Sequence, residues 1–195
     1  MKINRLLFLL LTCMMILSSC HPVLKKLYGV HDPRLETKTS IQKYLHKKKI
    51  NANNILVTAD STSLIKAFLI AKDLPDLRVF DKNDQLVIFK DSAACNAPGF
   101  DFTEHICDGK VLPTENTNKL SEELKLYRNL ADYSPVSTET NHPDFTVFIF
   151  WGKFAGRLNK DHVRVWENNL LNQKSCSIRI YKVDLDIIEG LNNDR

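Results

Sequence analysis

Five cysteines, at positions 13, 20, 95, 107 and 176, carry the most reactive side chains of this 195-residue sequence. A thiolate is a nucleophile toward alkylating groups and disulfides, and it is also a metal ligand. Cys20 follows two small residues, Ser18 and Ser19, which leave the backbone open to a processing peptidase. Cys13 lies inside an apolar run and reads as one more apolar residue there. Cys95, His105 and Cys107 are side chains of the kind that zinc selects, but their spacing is loose and no fourth ligand is evident, so no metal is expected. Cys95 as a catalytic nucleophile needs a base, for which His105, His142 and His162 qualify by residue type alone. Asp101 and Glu104 qualify no better as an acid–base pair and read as solvated charges. The sequence has no phosphate-binding glycine loop, dinucleotide fingerprint, Gly-x-Ser-x-Gly elbow or paired-histidine zinc motif. No catalytic residue and no cofactor are expected from it.

Lys2 and Arg5 precede Leu6 to Leu17, twelve residues of which Thr12 alone is polar. As a helix the run reaches about 18 Å. That is short of the roughly 30 Å of a bilayer core, so a secretory leader is expected rather than a permanent span. Leu17-Ser18-Ser19-Cys20 resembles the lipobox of bacterial lipoprotein precursors. The resemblance implies cleavage before Cys20, a thioether-linked lipid on its sulfur, and acylation, palmitate included, of the new amino terminus. It also implies a cell-envelope protein anchored to a membrane by its lipid. The outer membrane is favoured over the inner because His21, not Asp, follows the cysteine. Residues 1–19 are then a signal peptide and 20–38 a membrane-proximal tether, read as flexible in preference to a segment whose Lys25 and Lys26 meet anionic headgroups. Exported proteins live where disulfides persist. Cys95 with Cys107 is one pairing open to the mature chain, with Cys176 as the spare thiol.

Hydrophobic residues at 44% and charged residues at 26% are ordinary globular values and exclude wholesale disorder. With Lys2 and Arg5 in the leader, 25 of the 27 basic side chains remain against 23 acidic ones. So even a balance argues against a nucleic-acid partner and leaves an envelope protein or ligand. Thr39 or Ser40 is expected to cap a helix running to Lys49, with Ile41, Tyr44 and Leu45 on one face. A strand at 55–58 precedes a helix over 61–71, capped within Asp60 to Ser63 and apolar at Leu64, Ile65, Phe68 and Leu69. Strands at 77–80 and 86–89 form a hairpin about the Asp81–Asp84 turn. Residues 100–107 read as a short helix and 109–118 as a polar loop; Leu120, Leu124, Tyr127 and Leu130 have helical spacing, and 134–144 read as a linker. Phe145 to Trp151 is apolar on both alternating faces, so it is expected at the centre of a sheet with helices 61–71 and 159–171 over its two sides. Asn159 is expected to cap a helix carrying Val163, Trp166 and Leu170, and a last strand runs from 178 to 185. These elements make residues 39–195 one α/β domain, a mixed sheet with helices on both faces.

Phe148-Ile149-Phe150-Trp151, the helix after it, and Ile180-Tyr181-Lys182-Val183-Asp184 resemble the central strand, active-site helix and next strand of thioredoxin-like proteins. Leu74-Pro75-Asp76 through Asn83 resembles that family's proline loop and terminal hairpin. The two blocks occur in reverse order, which implies a permuted sheet. Where the family carries Cys-x-x-Cys, this chain has Gly152-Lys153-Phe154-Ala155-Gly156. Without a thiol there is no nucleophile to open a disulfide, so the resemblance implies a non-catalytic binding or interaction domain. Trp151 itself reads as strand-end packing. The alternative is a divergent thiol-redox protein using Cys95, with Cys107 as resolving thiol. For the leader, Cys20→Ser is expected to leave the precursor uncleaved and without lipid at this site. Intact mass spectrometry of wild type and variant checks this, and a wild type with an unmodified Cys20 would refute it.

Overall fold

The computed structural model describes residues 25–71, 73–90, 96–110, 112–137 and 143–190. The leader, the Ser18-Ser19-Cys20 sequence, Cys95 and His142 lie outside the described residues. A helical turn over 25–28 leads to β1 (Leu35–Glu36) and α1 (Lys38–Lys48). The cap of α1 is Thr37, two or three residues ahead of the expected Thr39 or Ser40. Thr37 Oγ1 accepts from the Ser40 amide at 3.1 Å, and Ser40 Oγ accepts from the Thr37 amide at 3.1 Å, so Ser40 completes a reciprocal box instead of starting the helix. Next come β2 (Ile55–Thr58) and α2 (Ser61–Ile70), whose Asp60 cap accepts from the Ser63 amide at 2.6 Å. α2 faces the sheet with Ser63 and Ala67, leaving Ile65 and Leu69 exposed at 63% and 72%. Of the expected apolar stripe, Leu64 and Phe68 are half-buried and pack against the core beside these two, whereas Ile65 and Leu69 do not.

β3 (Asp76–Asp81) follows the cis Leu74–Pro75 bond and turns into β4 (Gln85–Val87). The Asp81 carboxylate holds that turn, accepting from the amides of Asn83 and Gln85 at 2.9 Å each, with Asp84 in the left-handed region at φ 60°. Then come α3 (Pro98–His105), β5 (Thr114–Lys119), α4 (Leu120–Leu124) and β6 (Tyr127–Asn129). The expected loop at 109–118 thus contains an edge strand; β5 pairs only with β4, and an edge strand needs little apolar content. The helical spacing of Leu120, Leu124, Tyr127 and Leu130 does not make one helix, because the chain leaves α4 after Leu124 and becomes extended. All four are buried, but Leu130 enters a different core from the other three. The chain closes with β7 (Phe145–Trp151), a 3-10 turn at Lys153–Ala155, α5 (Leu158–Asp161), α6 (Val163–Asn172), β8 (Ile178–Asp184) and β9 (Ile187–Ile188).

Among the described residues the main sheet has the order β5-β4-β3-β7-β8-β2-β6. β7, β8 and β2 run parallel, and each remaining neighbour pair is antiparallel. This is a mixed α/β sheet with β7 at its centre, as its apolar run requires. Val147, Ile149 and Trp151 enter one core with Val163, Trp166 and Leu170 of α6. Phe148 and Phe150 enter the other with Ala67 of α2, Tyr127 and Tyr181. Phe148 is fully buried, and its ring meets those of Phe80, Tyr127, Phe150 and Tyr181 with centroids 5.4–6.4 Å apart. Truncating a phenylalanine in such a site leaves a cavity its neighbours cannot fill. Phe148→Ala is expected to cost about 3–5 kcal/mol in chemical denaturation. A loss below about 1 kcal/mol is that of a surface position and would contradict the central placement.

Candidate functional site

In open α/β sheets, ligands and chemistry gather beyond the carboxyl ends of the parallel strands, where the loops diverge. Here those ends are Trp151 and Asp184, register partners on β7 and β8. Register partners on parallel strands project to the same face, so the indole and the carboxyl share a wall with α1. Tyr44 of α1 stacks on Trp151, with ring centroids 5.8 Å apart and 15° between planes. Asn159 of α5 is fully buried; its Nδ2 donates to the Gly152 carbonyl at 2.7 Å and to the Tyr44 hydroxyl at 2.8 Å. That use replaces the expected role of Asn159 as a helix cap. The Tyr44 hydroxyl in turn donates to the Gly156 carbonyl at 3.2 Å. Two side chains from separate elements, Tyr44 and Asn159, therefore hold the loop of residues 152–156.

Two carboxyls complete the cluster. The Asp186 amide donates to Asp184 Oδ1 at 3.1 Å, and the Lys153 amide donates to Asp186 Oδ2 at 2.5 Å. Lys153 Nζ pairs with Glu36 of β1, which also accepts from the Ser40 hydroxyl at 2.5 Å. Burial pushes the fully buried Asp184 carboxyl well above the ordinary carboxylate range, and the negative charge of neighbouring Asp186 adds to the rise. Burial also raises Asp186, against hydrogen bonds from Asp184 and the Lys153 amide. Among the described residues Asp184 Oδ2 and Asp186 Oδ1 accept from no donor. For Glu36 the order reverses: burial pushes it up, but bonds from Lys153 and Ser40 outweigh that and hold it low. Tyr44 is raised by burial and by the charges of Asp186 and Asp184, against the Asn159 bond. The cluster thus fixes a loop and surrounds it with two carboxyls whose burial favours the protonated form. Among the described residues it contains no thiol.

Of the residues singled out from the sequence, Trp151 does lie at this centre, fully buried as strand-end packing. The two described cysteines are elsewhere. Cys107 is bonded to Cys176, with Cα atoms 5.5 Å apart, and not to Cys95, the pairing that the sequence left open. α3 and α6 pack on the same face of the sheet, and that brings the end of α3 to the loop before β8. This bond occupies the sulfur that a resolving thiol or a metal ligand would need. His105 Nδ1 lies 2.9 Å from the Asp108 carboxylate, and its ring lines an apolar-walled cavity of about 270 Å³ with Phe89, Phe102 and Lys110. His162 packs between Phe100 and Trp166, its Nδ1 3.1 Å from the Leu158 carbonyl. Asp101 is on α3, 3.9 Å from His105 and 86% exposed, so no buried acid–base pair forms with Glu104. The reading of the sequence missed Asp184, Asp186, Lys153 and Glu36. The signal available was Asp-x-Asp closing a strand that is otherwise buried. Known protein families, characterised proteins and solved structures provide no match to the chain.

The raised Asp184 fixes a sign. Its native form holds a proton that the unfolded chain releases above about pH 3.9, so its contribution to stability is full below that value and is lost as pH rises through the native one. Asn mimics the neutral acid at all pH values. Asp184→Asn is therefore expected to gain stability relative to wild type between about pH 4 and about pH 8, read as urea midpoints at both ends. A difference that stays constant across that range, or shrinks, would refute the raised Asp184 carboxyl.

Proposed function

We propose that this chain is a lipid-anchored cell-envelope protein whose thioredoxin-like domain binds a partner or ligand and does not catalyse thiol exchange. The observation that carries the reading is the loop of residues 152–156. It follows the central parallel strand, where a thioredoxin-like protein would present its thiols, and it offers glycine, lysine, phenylalanine and alanine instead. Its carbonyls and amides are committed to Asn159, Tyr44, Asp186 and the segment before β1. The strand order supports the resemblance. β2, β8 and β7 run parallel, followed by the antiparallel pair β3 and β4, and Asp76, next to Pro75, is the register partner of Phe150. The leader, with its Leu17-Ser18-Ser19-Cys20 ending, supports the anchor.

The protein isolated from membranes is expected to reduce insulin-type disulfides no faster than a blank containing reductant alone. Turnover above the blank that disappears in Cys95→Ser would refute the binding-module reading in favour of the thiol-redox one.

A further inference from the structure

The segment that leads from the anchor into the domain is fastened to the loop after β7. The Arg157 amide donates to the Tyr28 carbonyl at 2.7 Å, and the His31 amide donates to the Phe154 carbonyl at 2.9 Å. The Val30 amide closes the turn onto Lys25 at 2.9 Å, and the Glu189 amide bonds the Glu36 carbonyl at 2.9 Å, continuing the β1–β9 pairing. Gly156 makes the approach possible: its φ is +61°, and a Cβ there would stand 2.3 Å from the Tyr28 carbonyl oxygen. Residues 25–37, which the sequence places in the tether, are thus built onto the domain.

Cys20 stands five residues before Lys25. Five residues span at most about 18 Å, even when fully extended. A lipid on Cys20 therefore brings the 25–28 turn, and the loop bonded to it, within that distance of the bilayer surface. Resting on the lipid-anchor reading, we infer that this end of the sheet, residues 25–28 with 157–160, docks on the headgroups of an anionic bilayer. The chemistry of the patch matches. Lys25, Lys26, Arg157 and Lys160 are all exposed, and Asp161 is the one acid on the same short helix. Arg34 and Asp32, further along the segment, offset each other, and Lys153 is already paired with Glu36. Leu27, 62% exposed, and Tyr28, 36% exposed, add an apolar residue and an amphipathic ring, of the sort that settle at a headgroup boundary.

The test uses the mature protein from membranes, its Cys20 acylation read by intact mass, reconstituted in vesicles of phosphatidylcholine alone or with phosphatidylglycerol added. The rate of amine acetylation is measured at Lys25, Lys26 and Lys160. Lys82, in the β3–β4 turn at the opposite end of β7, is the reference. The three lysines are expected to react about five-fold more slowly in the anionic vesicles, the equivalent of about 1 kcal/mol per basic side chain at such a surface. Lys82 should not change, and the difference should vanish in about 0.5 M salt, where charges are screened within a few ångströms. Lys25→Glu with Lys26→Glu should abolish the protection of Lys160. Equal rates in both vesicle types would overturn the proposal, as would protection found in native membranes and in neither vesicle, which would indicate a protein partner. If the mass shows no acyl chain, the anchor reading fails by itself. Docking is then decided by sedimentation of the same protein with the two vesicle types: pelleting with the anionic ones alone supports it, and no pelleting overturns it.

Discussion

The pairing of β7 with β3 on one side and β8 on the other leaves both faces of a seven-residue apolar strand to be covered. The placement of α2 and α6 follows from that need, because each apolar face must be removed from water by a separate layer. α6 does so with Val163, Trp166 and Leu170, large side chains that fill the space over Val147, Ile149 and Trp151. On the other face, aromatic rings contributed by β3, β6, β7 and β8 do most of the filling, and α2 buries the small Ser63 and Ala67 there with Leu64 and Phe68 half-buried beside them. The two cores are thus filled by different means: helix side chains on one face, rings standing on the sheet on the other.

Each core also admits a buried ion pair. Lys182 of β8 meets Glu167 of α6, with side chains only 2% and 5% exposed. Arg78 of β3 meets Glu123 at 3.1 Å, and the Tyr127 hydroxyl donates to the same carboxyl at 2.8 Å. Taking such groups out of water costs several kcal/mol per ion, which only the matching partner offsets. Neither pair is strong evidence for stability. Their effect is on choice: a register slip on β8 would move Lys182 to the other face, away from Glu167, and leave both charges buried and unmatched.

The centre of the fold was legible because it depends on apolar runs. Phe145 to Trp151 announces a strand without surface, and Ile41 with Leu45, or Val163 with Trp166 and Leu170, announces a helix face. The errors arise where polar residues decide. Thr114 to Lys119 is chemically loop-like, yet it needs only backbone bonds to join an edge. Asn159 has the side chain of a cap, but the loop carbonyl at Gly152 and the Tyr44 hydroxyl compete for it more closely. The candidate site was less legible still. Glu36 and Lys153 are 117 positions apart and meet only because β1 pairs with β9, two-residue strands with no signature of their own. The bond of Cys107 to Cys176 follows from how α3 packs on α6, and spacing along the chain does not encode that.

The Cys107–Cys176 bond also changes what a cut in the backbone would do. The two residues stand 69 positions apart, and the interval holds β5, α4, β6, β7, α5 and α6. A protease that cleaved once anywhere in that interval would divide the chain without releasing either part. The piece bearing the amino terminus would remain joined through sulfur to the piece carrying β8. On a gel the nicked protein would run as one band until reductant was added, and it would persist as a two-chain molecule.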